Sequence, residues 1–182
     1  MKLFAKLVSF AAASLLSVSV FAHPIAAPGT EGLSVIASGG EVIAKYEGNT
    51  AAYSNDLLLN FTLIFNNHAT TVGAIKSLGS FAAGTELVFQ LRVNDTGNNW
   101  YTGAASRNAD GLFHARVQEN WQPGVTLVSF EDLWGNPEGV NGFNDLSFSF
   151  TNTQTTKVPE PSTVLLMMLG LAGLVASRRK KA

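Results

Sequence analysis

Hydrophobic and polar residues alternate along most of the central chain, so that every second side chain in several short runs is apolar. This period of two is typical of strands with one face buried and the other in water. Residues that favour turns, mainly Gly, Asn and Asp, separate the runs. Together they predict a mainly β protein, an antiparallel β-sandwich of about seven or eight strands. The expected strands are 33–37, 41–46, 56–66, 86–93, 112–118, 125–130 and 145–151.

Three connecting segments complete this prediction. Gly39-Gly40 lies between the first two strands, and a pair of glycines there predicts a tight hairpin turn. Residues 69–80 are ambiguous, and we expect a loop that contains a helical turn. Residues 151–157 are rich in Thr and Asn and are predicted to form a polar spacer after the domain.

The N-terminal segment does not follow the strand pattern. Lys2 and Lys6 precede an apolar stretch that runs to Phe21, and Val20-Phe21-Ala22 has the form of a cleavage site. These features predict a secretory signal peptide over residues 1–22, cleaved after Ala22 or alternatively after Ala27. A buried N-terminal strand or helix is the other interpretation.

The C-terminal segment combines prolines, an apolar run and a basic cluster. Pro159 and Pro161 oppose helix before them, so a helix is expected to begin at about Ser162. The run 163–176 carries no charge, and although a full span needs about 20 residues, the basic cluster 178–181 is typical of a cytoplasmic anchor. We therefore predict a transmembrane helix over about 162–177 with a basic tail, and a packed terminal helix as the alternative.

This tail closely resembles the PEP-CTERM sorting signal of Gram-negative bacteria. The resemblance rests on the segment Val158, Pro159, Glu160, Pro161 and Ser162, then the apolar stretch, then Arg178 and Arg179. It implies recognition by an exosortase, a membrane-embedded cysteine transpeptidase or protease, which removes the tail near the Pro-Glu-Pro triplet. It also implies an intermediate anchored in the inner membrane, and delivery to the cell surface or an exopolysaccharide matrix. Such tails are also called ice-binding protein C-terminal segments, a term for the shared signal that does not indicate ice binding.

The chain thus divides into a signal peptide (1–22), a secreted domain (23–150), the spacer (151–157) and the sorting signal (158–182). The two signals hold six of the 12 Lys and Arg residues but only one of the 13 acidic residues, which leaves the part between them with a formal charge near −6. An acidic domain will not bind nucleic acid through its charge. The chain has no cysteine, which excludes disulfides, thiolate metal sites and cysteine nucleophiles.

Oxygen-bearing side chains are concentrated between the last two predicted strands. If those strands pair as a hairpin, the side chains converge at the base of the loop, where they offer the ligands that Ca²⁺ prefers. Ca²⁺ is therefore the one cofactor that the sequence suggests. Hydrogen bonds from these side chains to loop amides are the other interpretation. The residues are Glu131, Asp132, Asn136, Glu138, Asn141, Asn144 and Asp145, with Asn108 and Asp110 from an earlier turn as further candidates.

The same region resembles an uncharacterised domain family common in bacterial surface proteins. The matching motifs are Phe130-Glu131-Asp132 and Phe143-Asn144-Asp145-Leu146, with Asp110-Gly111 and His114 upstream. The resemblance covers roughly residues 101–150. Two aspartates that the family usually carries before the second motif are replaced here, with Val140 and Gly142 near those places. This departure weakens the implied calcium site.

The sequence gives no sign of catalysis. Glu131 and Asp132 are expected to point to opposite faces of a strand, the three histidines outside the signals show no metal-binding spacing, and no nucleophile elbow or phosphate loop is present. We predict an exported, non-catalytic surface or biofilm-matrix protein whose partners are an exosortase, the inner membrane and exopolysaccharide. A carbohydrate-binding module, assisted by Ca²⁺, is the alternative function. In it, exposed members of Trp100, Trp121 and Trp134 would stack on sugars rather than close the ends of the core.

Overall fold

A computed structural model describes residues 23–157 of the chain. This part is built from strands, joined by turns and two short 3₁₀ helices, and all the strand pairings are antiparallel. The strands are β1 (Leu33–Ala37), β2 (Gly40–Asn49), β3 (Asn55–Leu59), β4 (Thr62–Asn66), β5 (Ile75–Phe81), β6 (Phe89–Val93), β7 (Asn99–Tyr101), β8 (Ala115–Gln122), β9 (Val125–Phe130), β10 (Leu146–Thr151) and β11 (Thr153–Lys157). The 3₁₀ helices are Ala105–Arg107 and Gly139–Asn141.

Two larger sheets share one hydrophobic core. The first has the order β5-β2-β10-β9-β8, the second β4-β3-β6-β7, and β1 and β11 form a separate pair. Aromatic rings meet across the gap between the sheets: Phe65 lies 6.1 Å from Phe148, and Phe89 lies 4.0 Å from Phe150. The predicted mainly β, antiparallel and sandwich-like fold is confirmed, with eleven strands in residues 23–157 rather than seven or eight.

The run 56–66 forms a hairpin rather than one strand. Asn60 and Phe61 have φ of 49° and 63°, so a two-residue turn separates β3 from β4. Positive φ at both central residues matches the right-handed twist of paired strands, which is why such turns are favoured in hairpins. Asn tolerates a positive φ well, but a bulky Phe rarely adopts one. The turn was therefore not predicted from the sequence.

Three connections also differ from the prediction. Gly39 and Gly40 do form a turn with positive φ, but β1 pairs with β11 while β2 pairs with β5 and β10, so the turn connects two sheets and is no hairpin. The ambiguous segment 69–80 contains most of edge strand β5. The predicted polar spacer 151–157 is also wrong. Residue 151 is the last residue of β10, and residues 153–157 form β11, which pairs with β1.

The two terminal signals lie outside the described residues. This holds for the predicted signal peptide with its cleavage site at Ala22, for the predicted transmembrane helix 162–177, and for the sorting residues from Val158 onward. Within the part that the structure describes, no helix has the length and apolar character needed to cross a bilayer.

Candidate metal centre

Strands β9 and β10 bring together the two ends of the loop 131–145, which carries the acidic side chains. They are neighbours in the larger sheet, and Phe130, the last residue of β9, lies opposite Leu146, the first residue of β10. The loop 131–145 therefore begins and ends at one place, with Glu131 and Asp145 next to this residue pair. The hairpin pairing on which the calcium hypothesis depends is therefore present, and the ends of the loop converge.

Three carboxylates meet at this point. One side-chain oxygen from each of Glu131, Asp132 and Asp145 lies within 4.8 Å of the other two. Two oxygens that bind the same Ca²⁺ at about 2.4 Å can be at most about 4.8 Å apart, so the spacing is compatible with one shared ion. Glu131 is 0% exposed, Asp132 is also buried, and Asp145 is half-buried.

Hydrogen bonds from distant strands hold Asp132 in place. Asn55 on β3 donates from Nδ2 to its Oδ2 at 2.7 Å, and Trp100 on β7 donates from Nε1 to its main-chain oxygen at 2.9 Å. The Asp132 amide in turn donates to Oδ2 of Asp145 at 2.8 Å. Both donors from the opposite sheet are fully buried, so the cluster is fixed by the core and not by the loop alone.

One oxygen of the cluster has no donor. The Leu133 amide donates to Oε1 of Glu131 at 2.9 Å, but Oε2 is buried and has no hydrogen-bond partner within residues 23–157. Oδ1 of Asn136 is likewise buried and has no hydrogen-bond partner within residues 23–157. A buried acceptor without a partner costs about 1–3 kcal/mol, and more when it is charged. Hydrogen bonding to loop amides therefore explains only part of this arrangement.

Gly142 closes over the same two oxygens. A Cβ atom at this position would overlap Oε2 of Glu131 and would lie 3.0 Å from Oδ1 of Asn136. Every other glycine in residues 23–157 has a positive φ, whereas Gly142 has a helical φ of −73° that any residue can adopt. Glycine is thus needed here for space and not for backbone freedom, and the space it leaves is bounded by unpartnered oxygens.

The electrostatics of the cluster favour a bound cation. Burial raises the pKa of Glu131 to about 8, and the nearby charges of Asp145, Glu138 and Asp132 add to the effect. Burial, followed by the charge of Asp132, raises the pKa of Asp145 to about 7. The pKa of Asp132 is also raised, mainly by burial. The three acids lie close together, and their ionised forms are unfavourable. The folded state is therefore stabilised when the acids are protonated or when they bind a cation.

Two of the predicted ligands, Asp110 and Asn144, have other surroundings. Asp110 lies outside the cluster, and its carboxylate accepts hydrogen bonds from His114 Nε2 at 2.9 Å and from the Gly135 amide at 3.0 Å. Burial alone would raise its pKa, but hydrogen bonds from His114, Gly135 and Leu112 outweigh burial and lower it. Asn144 borders the same pocket as Asp132 and Asp145, and its Oδ1 accepts from Thr50 Oγ1 at 3.0 Å.

The expectation that Glu131 and Asp132 point to opposite faces is wrong. Strand β9 ends at Phe130, so the strand alternation does not extend to these two residues, and both reach the cluster. Sequence reasoning also missed Asn55, which lies 77 residues from Asp132 along the chain. No local pattern connects two residues so far apart. His114 Nδ1 lies 3.0 Å from the Glu131 main-chain oxygen, a contact that is hidden in the sequence for the same reason.

Comparison with known families adds one finding, at the end of the chain. Residues 157–180 match the model of the PEP-CTERM protein-sorting motif. The chain carries a PEP-CTERM sorting motif. No curated protein and no solved structure matches the chain significantly. The predicted sorting signal is thereby confirmed, while the resemblance of residues 101–150 to a surface domain stays a prediction.

The PEP-CTERM motif supports an exported protein that is sorted by an exosortase by way of a membrane-anchored intermediate. The matched segment begins at Lys157, which is also the last residue of β11. Because β11 pairs with β1 along its whole length, the folded domain extends directly to the sorting motif.

Proposed function

We propose that the chain is a non-catalytic protein of the bacterial cell surface or extracellular matrix, whose β-domain holds a structural Ca²⁺ ion in the loop 131–145. The PEP-CTERM motif supports export and handling by an exosortase. Retention in a biofilm or exopolysaccharide matrix is the destination that we propose for the processed protein. An exported domain without cysteines gains from a metal that cross-links a long loop to its core, since disulfides are absent.

The observation that carries the metal site is the unpartnered Oε2 of Glu131. It is fully buried and lies in a group of three carboxylates that the core holds close together. Hydrogen bonds account for Oε1 of Glu131 and Oδ2 of Asp145, but they leave this oxygen unsatisfied. A Ca²⁺ ion would satisfy it and offset the repulsion among the three acids. Asp132, Asp145 and Asn136 would supply further ligands.

The surroundings of the acids support a structural role and not a catalytic one. A general acid must reach the atom to which it gives its proton, and Glu131 has no exposed surface from which to do so. His114 is also fully buried, stacked 3.7 Å from Trp100 and paired with Asp110. Neither group is placed to meet a substrate from solution.

Calcium titration of residues 23–157, which contain all eleven strands, tests the metal site directly. Isothermal titration calorimetry is expected to show one Ca²⁺ per chain. Extracellular Ca²⁺ modules bind with Kd on the order of 10⁻⁴ to 10⁻³ M, so the titration should extend to about 10 mM. Asp145→Asn and Glu131→Gln each remove one charged ligand and are expected to weaken binding at least about tenfold, which corresponds to 1.4 kcal/mol. Gly142→Ala is expected to do the same, because its methyl group displaces Glu131.

The matched control is Glu119→Gln, which removes an exposed carboxylate on β8 and should leave the affinity unchanged. If the wild-type domain takes up no Ca²⁺, or if the three cluster variants bind it as well as wild type, the proposed site is wrong.

The sorting half of the proposal is tested in a bacterium that has an exosortase. Pro159 and Pro161 form the proline pair of the motif, and we expect Pro159→Ala/Pro161→Ala to prevent removal of the tail. The full-length chain should then accumulate in the membrane fraction, as seen by immunoblotting, while wild type is shortened and leaves that fraction. Pro123→Ala, in the turn between β8 and β9, is the control and should be processed normally. Normal processing of the double variant would contradict the proposal.

A further inference from the structure

Trp134 is the exposed tryptophan of the described residues. Trp100 is fully buried and Trp121 is half-buried, but 56% of Trp134 is exposed. Its ring leans on Trp100, with 5.7 Å between the ring centroids and 54° between the ring planes. Trp100 stacks in turn on His114 at 3.7 Å. The exposed indole is therefore supported from behind by a rigid aromatic stack.

A pocket lies beside this indole, between the turn before β7 and the 3₁₀ helix Ala105–Arg107. Asn98, Tyr101 and Ser106 line it, and their side chains make no hydrogen bond to any residue in the range 23–157. The pocket thus combines one exposed aromatic face with an amide and two hydroxyl groups that are free to bond a ligand. An apolar wall with a few convergent polar groups is the usual composition of a small-ligand site.

The charge of the pocket selects a neutral ligand. No acidic side chain lines it, and its one cation, Arg107, forms two hydrogen bonds to the Glu86 carboxylate, at 2.8 and 3.0 Å. A phosphate or carboxylate would therefore find no free positive charge, and an ammonium group would find no free negative charge. A pyranose ring fits these features, because it presents a flat C–H face to an indole and hydroxyl groups at its edge to amides and hydroxyls.

We propose that the pocket beside Trp134 binds neutral saccharides, with one pyranose ring on the indole face and its hydroxyl groups bonded to Asn98, Tyr101 and Ser106. The backbone next to Trp134 is held in place, since the Gly135 amide donates to Asp110 at 3.0 Å. This site is separate from the carboxylate cluster. It goes beyond the calcium proposal, and either site can be present without the other.

The test uses the purified full-length chain in a zwitterionic detergent whose headgroup contains no sugar, with ¹⁵N-labelled tryptophan. The three indole N–H signals are assigned with Trp→Phe variants and followed during titration with cellohexaose, mannohexaose, galactohexaose and chitohexaose. We expect at least one of the four to shift the Trp134 signal saturably while the Trp121 signal stays in place. Trp134→Ala is expected to weaken binding at least about tenfold, as measured by calorimetry. Tyr101→Phe, which removes one hydroxyl group, should weaken it less.

Binding that is equal in wild type and Trp134→Ala overturns the proposal, as does a shift of the Trp121 signal equal to that of Trp134. The proposal is also wrong if none of the four saccharides moves the Trp134 signal. Trp121→Phe is the matched control and should bind as wild type does. The titration is repeated in EGTA, where saccharide binding is expected to persist. Binding that persists supports this site even if the calcium proposal fails, and binding that is lost in EGTA contradicts a saccharide site separate from the carboxylate cluster.

Discussion

Saturating Ca²⁺ is expected to raise the melting temperature of residues 23–157 by on the order of 10 °C relative to the same protein in EGTA. A ligand at one hundred times its Kd adds about 2.7 kcal/mol to the free energy of unfolding, and each kcal/mol moves the midpoint of a domain of this size by several degrees. The gain arises because the ion binds only where the folded core holds Glu131, Asp132 and Asp145 together. Differential scanning calorimetry at pH 8 measures it.

Variants that replace an acid by its amide distinguish two roles for the cluster, a metal site and a set of hydrogen-bond acceptors. Glu131→Gln and Asp145→Asn keep the side-chain shape but remove one charge from the cluster. If the acids hold Ca²⁺, a tenfold or greater loss of affinity should remove at least about half of the calcium shift. These variants should also melt higher than wild type in EGTA, because repulsion is relieved. If the acids serve only as hydrogen-bond acceptors, wild type and variants will respond equally to Ca²⁺. Glu119→Gln should retain the full shift, and a variant that melts without cooperativity is excluded from the comparison.

The sequence pattern located the strands well where their side chains are buried. The bounds of β1 and β9 agree with the prediction to the residue, because their apolar side chains meet the core directly. Strand β5 was missed because it is an edge strand with most of its side chains exposed, so no apolar alternation marks it. The polar residues of β11 hid it in the same way. Such strands form because a neighbouring strand offers hydrogen bonds. The partner strand can lie far away along the chain, so the sequence of the strand itself does not reveal the pairing.

Only the part of the candidate site that the β9–β10 hairpin determines could be predicted from the sequence. Pairing of β9 with β10 places Glu131 beside Asp145, and this follows from the sequence once the strands are known. The positions of Asn55 and Trp100 depend instead on the packing of one sheet on the other. The reason for glycine at position 142 likewise appears only when the Glu131 carboxylate is seen beside it.

The metal-free domain is expected to lose stability as pH rises from about 4 to 8, the opposite of the usual behaviour of surface carboxylates. The pKa of Glu131 is raised to about 8 and that of Asp145 to about 7, from ordinary values of 4.5 and 3.8. Between the ordinary and the raised values the folded state holds more protons than the unfolded state, so the free energy of unfolding falls with increasing pH. This contribution to stability is fully present below pH 4 and is lost as pH passes 7 and 8.

Calcium should reverse this trend, because it binds the ionised carboxylates and competes with protons for them. Melting temperatures measured in EGTA from pH 5 to 8 are expected to decline, while those in saturating Ca²⁺ should stay level or rise, so that the two curves diverge with pH. The double variant Glu131→Gln/Asp145→Asn lacks both groups. It should show a much smaller decline, because only Asp132 keeps a raised pKa, and little divergence. A wild-type melting temperature in EGTA that rises from pH 5 to 8 would contradict the raised pKa values. A decline that Ca²⁺ leaves unchanged would contradict the metal site while leaving the buried acids as the cause.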